Sequence, residues 1–381
     1  MIDVTIKLTK GHVFLSGEIV ECSISFSHQP STNHKISQSN SDTVESLAWG
    51  STQIHCLCFT DPKINKEKQQ QLISQTMFAD TALGITPESG TTVFSTKPKI
   101  LFCDLKLYPG QTKTYIYKER IPNDSPPSYR GQLVKYCYKI IVGTQRVNHP
   151  VKLLKVPIRI LPLIEVSMSD AGEICNETTE ELTPTNPFLE VRQHENPLNL
   201  ALQTLQNITA RRNPNLYMIS NKRGKVARFC LFKPAYKLGE DIVGSLDFTV
   251  ATVDCMQLSV ALQCQEEAMG VQESKLRTFS RHHEVCHGYK HTQLVLPIPL
   301  HVTPAFSTDL VTLKWNLHFE FVTSASKALE PPGLGTTYWQ APSEVAIETM
   351  VWTLPIQLYS TTPVHVAQGV QSNDSHTLTI R

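Results

Sequence analysis

The residues with the most evident potential for chemistry lie in one run, His282-His283-Glu284-Val285-Cys286-His287, with His291 shortly after. Imidazole nitrogen and thiolate sulfur are ligands that zinc prefers, so His282, His283, Cys286 and His287 form the candidate metal set of the chain. Their spacing is irregular and no second cysteine pair stands nearby, which favours a solvated histidine-rich loop ahead of a strand at 294–299. No cofactor is assigned on this basis.

A Gly-x-x-x-x-Gly-Lys-Ser/Thr loop is absent from the sequence. Gly110-Gln111-Thr112-Lys113 lacks the glycines that wrap backbone N–H groups around a phosphate. There is no Gly-x-Ser-x-Gly elbow and no Gly-x-Gly-x-x-Gly after a strand, so no catalytic residue is assigned either. A protein that acts by binding is the simpler expectation.

Two further groups could bind partners. Pro126-Pro127-Ser128-Tyr129 matches the Pro-Pro-x-Tyr ligand of WW domains. The element recurs downstream as Pro304-Ala305-Phe306, which favours an aromatic anchor at a strand entry over a flexible ligand. Arg211, Arg212, Lys222, Arg223, Lys225 and Arg228 form a basic run around a turn at 220–224. Such runs are usually solvated faces, and the sharper reading is contact with anionic lipid or an acidic partner.

The elements that must position these groups are strands. Val4, Ile6 and Leu8 alternate with polar residues, as do Val20, Cys22, Ile24 and Phe26 beyond the turn Ser16-Gly17-Glu18. Downstream, Leu238-Gly239-Glu240 leads into Ile242, Gly244, Leu246 and Phe248. Ile121-Pro122, Pro127-Ser128-Tyr129 and an aromatic strand at 135–142 correspond to Ile298-Pro299, Pro304-Ala305-Phe306 and a strand at 314–321. Val156-Pro157-Ile158 corresponds to Leu354-Pro355-Ile356. Three matches in one order define a tandem repeat of domain size.

At 381 residues the chain accommodates two such sandwiches and a linker. A net charge of +1 supplies no global field for nucleic acid, and none is expected as a partner. The first residues do not read as a signal peptide, and the apolar stretch at 153–166 is too interrupted to span a bilayer, so a cytoplasmic protein is expected. The 10 cysteines are then reduced core thiols, Cys56 and Cys58 sharing one face of a strand.

The expected organisation is a sandwich at 1–164, an acidic linker at 165–215 with a helix at 197–209, a second sandwich at 216–362 and a flexible tail at 363–381. Asn196-Pro197 followed by Leu198, Leu202 and Leu205 marks the helix. Stretches at 29–46, 61–96, 266–281 and 324–341 read as long loops.

The tandem sandwiches, the Pro-Pro-Ser-Tyr-Arg-Gly segment and the terminal Pro-Ile strands resemble the arrestin superfamily. The fold class this implies is all-β, with tandem arrestin-like β-sandwiches. Closer similarity is to the Rgp family, carried by Gln53-Ile54-His55-Cys56, Lys99-Ile100-Leu101-Phe102-Cys103-Asp104-Leu105, Arg223-Gly224-Lys225-Val226 and Leu317-His318-Phe319-Glu320-Phe321. This resemblance implies the smaller, non-catalytic subunit of a guanine-nucleotide exchange factor for the Golgi Rab-six class GTPase. It implies a heterodimer with a large β-propeller Ric subunit, peripheral contact with Golgi membranes and a role in endosome-to-Golgi traffic. The competing reading is an arrestin-type cargo or ubiquitin-ligase adaptor, since fold alone does not separate the two.

Overall fold

In the computed structural model, residues 1–29, 44–61, 90–163, 197–270, 273–325, 344–369 and 375–380 are described. The first lobe contains β1 (Ile2–Leu8), β2 (Val13–Leu15), β3 (Ile19–His28), β4 (Glu45–Thr60), β5 (Thr91–Ser95) and β6 (Lys99–Leu107). It continues with β7 (Thr112–Arg120), β8 (Tyr129–Arg130), β9 (Val134–Gln145) and β10 (Lys152–Leu161). Helix α1 (Pro197–Ala210) precedes the second lobe, which opens with β11 (Asn215–Asn221), β12 (Gly224–Leu231), β13 (Ala235–Lys237) and β14 (Asp241–Asp247). Then come β15 (Cys255–Ala268), β16 (Ser274–Val285), β17 (His291–Pro297), β18 (Phe306–Ser307), β19 (Val311–Ser324) and β20 (Ile347–Tyr359). Helix α2 (Pro363–Gly369) and β21 (Ser375–Ile380) close the described chain.

Each lobe is a pair of sheets. In the first, β21-β1-β3-β7 faces β2-β10-β9-β4-β5, with β6 also on β4 and β8 on β9. In the second, β11-β12-β14-β17 faces β13-β20-β19-β15-β16, with β18 on β19. The strands alternate as their sequences require: in β3 every second residue, from Val20 to His28, is buried. The inward side chains form one continuous apolar core running through both lobes.

The repeat has a physical basis in its turns. Gly17 and Gly239 both adopt φ of 83°, a left-handed conformation that glycine reaches without strain. Glu18 accepts the Leu15 N–H at 2.9 Å through its carboxylate, and Glu240 accepts the Lys237 N–H at 3.1 Å in the same way. Each glycine N–H then donates to an isoleucine carbonyl, Gly17 to Ile121 at 3.0 Å and Gly239 to Ile298 at 3.2 Å. The Gly-Glu turn and the Ile-Pro element are therefore halves of one hydrogen-bonded corner, present in each lobe.

Pseudo-equivalence extends to the strand order. In the second lobe, β11 flanks β12 through a hairpin; in the first, the matching place beside β1 is taken by β21. Ile2 pairs with Ile380, Val4 with Leu378 and Ile6 with His376. The segment 363–381, expected to be a flexible tail, thus carries a helix and a strand that completes the first sheet, and Ile380 is buried. Its Leu378 and Ile380 alternate with threonine because one face of the strand looks to solvent.

The stretch 266–281, expected as a loop, is mostly strand: it holds the end of β15 and much of β16, paired from Glu267↔Ser274 onward. Residues 91–95 of another expected loop likewise form β5, while 30–43, 62–89 and 326–343 lie outside the described residues. The acidic part of the expected linker, 165–196, also lies outside them. In α1, Leu205 and Thr209 are buried and Leu198 and Leu202 pack on the core, at the spacing of one helical face. Lys233 donates to the Thr209 carbonyl at 3.0 Å, satisfying an acceptor at the helix C-terminus.

Candidate functional site

The histidine-rich run does not converge. His282 and His283 lie on β16 rather than in a loop, and neighbours on a strand point to opposite faces. His283 stands opposite Ser259, whereas His282 Nε2 lies 3.5 Å from Glu284 Oε2, which accepts the Thr292 hydroxyl at 2.6 Å. Cys286 is buried beside Cys255, and the hydrogen bond between the two thiols, followed by burial, pushes the Cys255 thiol well up. Among the described residues, no three His, Cys, Asp or Glu side chains gather as a cation site.

The basic run is divided by the strand it flanks. Arg211 and Arg212 follow α1 at one end of β11, whereas Lys222, Arg223 and Lys225 occupy the β11–β12 hairpin at the other. A strand of seven residues places these groups roughly 20 Å apart. Arg228 lies between them on β12, opposite Met218, and is held by Asp247 at 2.5 Å. Arg223 is held by Glu348 at 3.3 Å and donates to the Ala325 carbonyl. Arg211, Arg212, Lys222 and Lys225 are exposed and make no ion pair among the described residues.

The most highly built polar site is the seam between the lobes. Glu266 on β15 is only 3% exposed, yet its carboxylate accepts three backbone N–H groups of the first lobe. Gln132 donates to Oε2 at 2.8 Å, and Leu133 and Val134 donate to Oε1 at 3.0 Å each. The approach needs Gly131, where a Cβ would stand 2.1 Å from Glu266 Oε1 and 2.4 Å from Tyr129 Cε1.

Arg159 crosses in the other direction, donating to the Val302 carbonyl at 2.8 Å and the Leu300 carbonyl at 3.3 Å. Burial lowers its pKa from the ordinary arginine value, and the two carbonyls take the place of water around the guanidinium charge. Thr303 donates to the Ser128 carbonyl at 3.1 Å, and the hydroxyls of Tyr136 and Thr308 meet at 3.0 Å. Tyr129 is buried with its ring on Phe306, and burial, ahead of nearby Cys264 and Glu266, pushes its phenol far up. Beside this contact a cleft of about 240 Å³ opens between the lobes, lined by Pro126, Pro127, Pro162 and Pro304 among others.

Tyr129 is therefore a structural anchor, as its repetition at Phe306 indicates. Glu266 and Arg159 carried no motif. The one signal for Glu266 is a charged residue at an inward position of an alternating strand, which requires a partner when buried; Arg159 stands on the opposite face of β10 from Ile158 and Ile160 and gives no such signal.

Together these features define a two-lobed all-β scaffold whose lobes are joined by buried polar contacts. The family model described as Rgp1 matches residues 7–176 and 168–324. A human protein called RAB6A-GEF complex partner protein 2 is 40% identical over 407 aligned positions, covering 100% of both chains. The bovine protein of the same name is 40% identical over 384 positions, covering 94% of this chain and 93% of its own. The chain belongs to the Rgp1 family.

Proposed function

We propose that this protein is a non-catalytic subunit of a guanine-nucleotide exchange factor for a Rab GTPase of the Rab-six class. The observation that carries the reading is identity of 40% along the entire chain to a protein named as a partner in a RAB6A-GEF complex. Exchange needs only that the complex bind the nucleotide-free GTPase more tightly than the loaded one, so a scaffold without a catalytic constellation can contribute to it. On this reading the chain forms a heterodimer with a large β-propeller Ric subunit and acts at the cytoplasmic face of Golgi membranes in retrograde traffic. Burial of Tyr129 weighs against the adaptor alternative, because a side chain 8% exposed is poorly available to a WW domain.

The test is affinity purification of the tagged full chain from cytosol, followed by GDP-release assays on Golgi Rab GTPases. The co-purified complex accelerates release and the isolated chain does not. Recovery of no large propeller-bearing partner, or of a complex inactive on every Golgi Rab, overturns the assignment.

A further inference from the structure

The outer face of the β11-β12-β14-β17 sheet carries apolar side chains that nothing among the described residues covers. Leu216 is 67% exposed, Met218 49%, Val295 48% and Phe232 39%. The register places them together. Leu216 stands opposite Cys230, the Phe232 N–H donates to the Val243 carbonyl, and Val243 stands opposite Val295. The alternate residues Ile219, Phe229, Leu246 and Leu294 are buried, so this is the solvent side of a sandwich whose inner side is already filled.

Cations stand at both ends of the edge strand, Arg211 and Arg212 at one and Lys222 and Lys225 at the other, all exposed. Two carboxylates share this face: Asp247 is engaged by Arg228 at 2.5 Å and lies 3.5 Å from His291, and Asp241 is exposed at the start of β14, so the four exposed cations remain in excess. Exposed apolar side chains between two separated cationic ends, crossed only by the mutually paired Arg228 and Asp247 and by uncharged polar residues, suit a surface that is apolar in depth and anionic over a wide area. An anionic bilayer has both properties. A folded protein partner would have to place acidic groups about 20 Å apart on either side of an apolar ridge to match it.

We propose that this sheet face is a membrane-docking surface for anionic lipid, with Leu216 and Met218 entering the headgroup boundary and the four cations engaging headgroups. The inference rests on the membrane-surface part of the function proposed above and names the surface that performs it.

The test is flotation of the full chain with phosphatidylcholine vesicles and with vesicles that also contain phosphatidylserine. The parent chain floats only with the second. Each cation next to an anionic leaflet is worth roughly fivefold in binding, so reversing Arg211, Arg212, Lys222 and Lys225 to Glu abolishes flotation. Leu216→Ser with Met218→Ser lowers it several-fold at unchanged salt dependence. All six residues are solvent-facing, and unchanged thermal melts confirm that the variants fold. Exchange by the co-purified complex on a soluble GTPase stays at the parent level in both variants.

Absence of flotation with anionic vesicles, or variants that float like the parent, overturns the proposal and leaves the exchange assignment standing. Loss of the co-purifying subunit in the variants, with flotation intact, assigns the face to a protein and also overturns it. Failure of exchange by the parent complex, with lipid-dependent flotation intact, counts against the exchange assignment alone.

Discussion

Tyr129 and Phe306 occupy the same position in the two halves of the repeat, and their rings meet edge to face with centroids 5.2 Å apart. The repeated strand-entry aromatic is thus also the contact that fastens one lobe to the other. Tyr129→Ala is expected to destabilise the protein by about 3 kcal/mol or more, the scale of deleting a buried aromatic ring. Urea denaturation checks this, and a WW-domain array probed with the folded protein should show no binding at this motif. Unchanged stability together with a WW interaction lost on mutation would return Tyr129 to the role of an exposed ligand.

Glu266→Gln removes the charge that three first-lobe N–H groups share and turns one oxygen into a donor facing donors. Hydrogen bonds to an ionised group are worth about 1.5–3 kcal/mol each before relaxation, so a loss of a few kcal/mol is expected. Gly131→Ala should act in the same direction by pushing the carboxylate away. Limited proteolysis should then cut near 131–134 faster in both variants than in the parent.

Deleting 375–381 takes Ile380 out of the core, where it is 3% exposed, and strips β1 of one neighbour. Removal of a buried isoleucine alone costs about 2–5 kcal/mol, and the bare edge invites association. Hydrogen exchange should accelerate in β1 and β3 while β14 and β17 keep their protection. Equal protection of β1 in the truncated chain would show that β21 does not close the sheet.

Burial, and then the charge of Lys155, hold the His55 imidazole down at about 4 against an ordinary 6.5. The folded protein therefore binds fewer protons here than the unfolded chain. Stability from this group is complete above about pH 6.5 and declines as pH falls toward 4, by at most about 3 kcal/mol. Denaturation midpoints across that window should slope less in His55→Gln than in the parent, and an identical slope would remove His55 as the cause.

Much of this architecture was legible because its signals are local. The Gly17-Glu18 and Gly239-Glu240 turns need glycine for a positive φ and a carboxylate three residues after an open N–H, and both requirements are written in adjacent letters. Strand β16 was not legible, since Lys275, Arg277, Arg281, His282 and His283 read as loop chemistry. They belong to an edge strand, where charge on the solvent side is the usual guard against pairing with another chain. Strand β21 has the right alternation, but nothing in Leu378 or Ile380 names its partner. The seam was invisible for the same reason: Glu266 finds its N–H partners 132–134 residues earlier in the chain.

The pairing of β21 with β1 also sets an order of events in the cell. Thr5 and Thr377 touch at 3.0 Å across 372 residues. A ribosome adding about 5–20 residues per second takes roughly 20–70 s to cover that interval. Strand β1 emerges long before β21 and is thus among the last of the described strands to gain its full set of neighbours. During that time the nascent first lobe presents an open edge, a natural place for a chaperone to hold it. Because Ile2 and Ile380 stand opposite each other, linking β21 to β1 with a short connection and opening the chain elsewhere should give a circular permutant in which the early lobe is complete from the start.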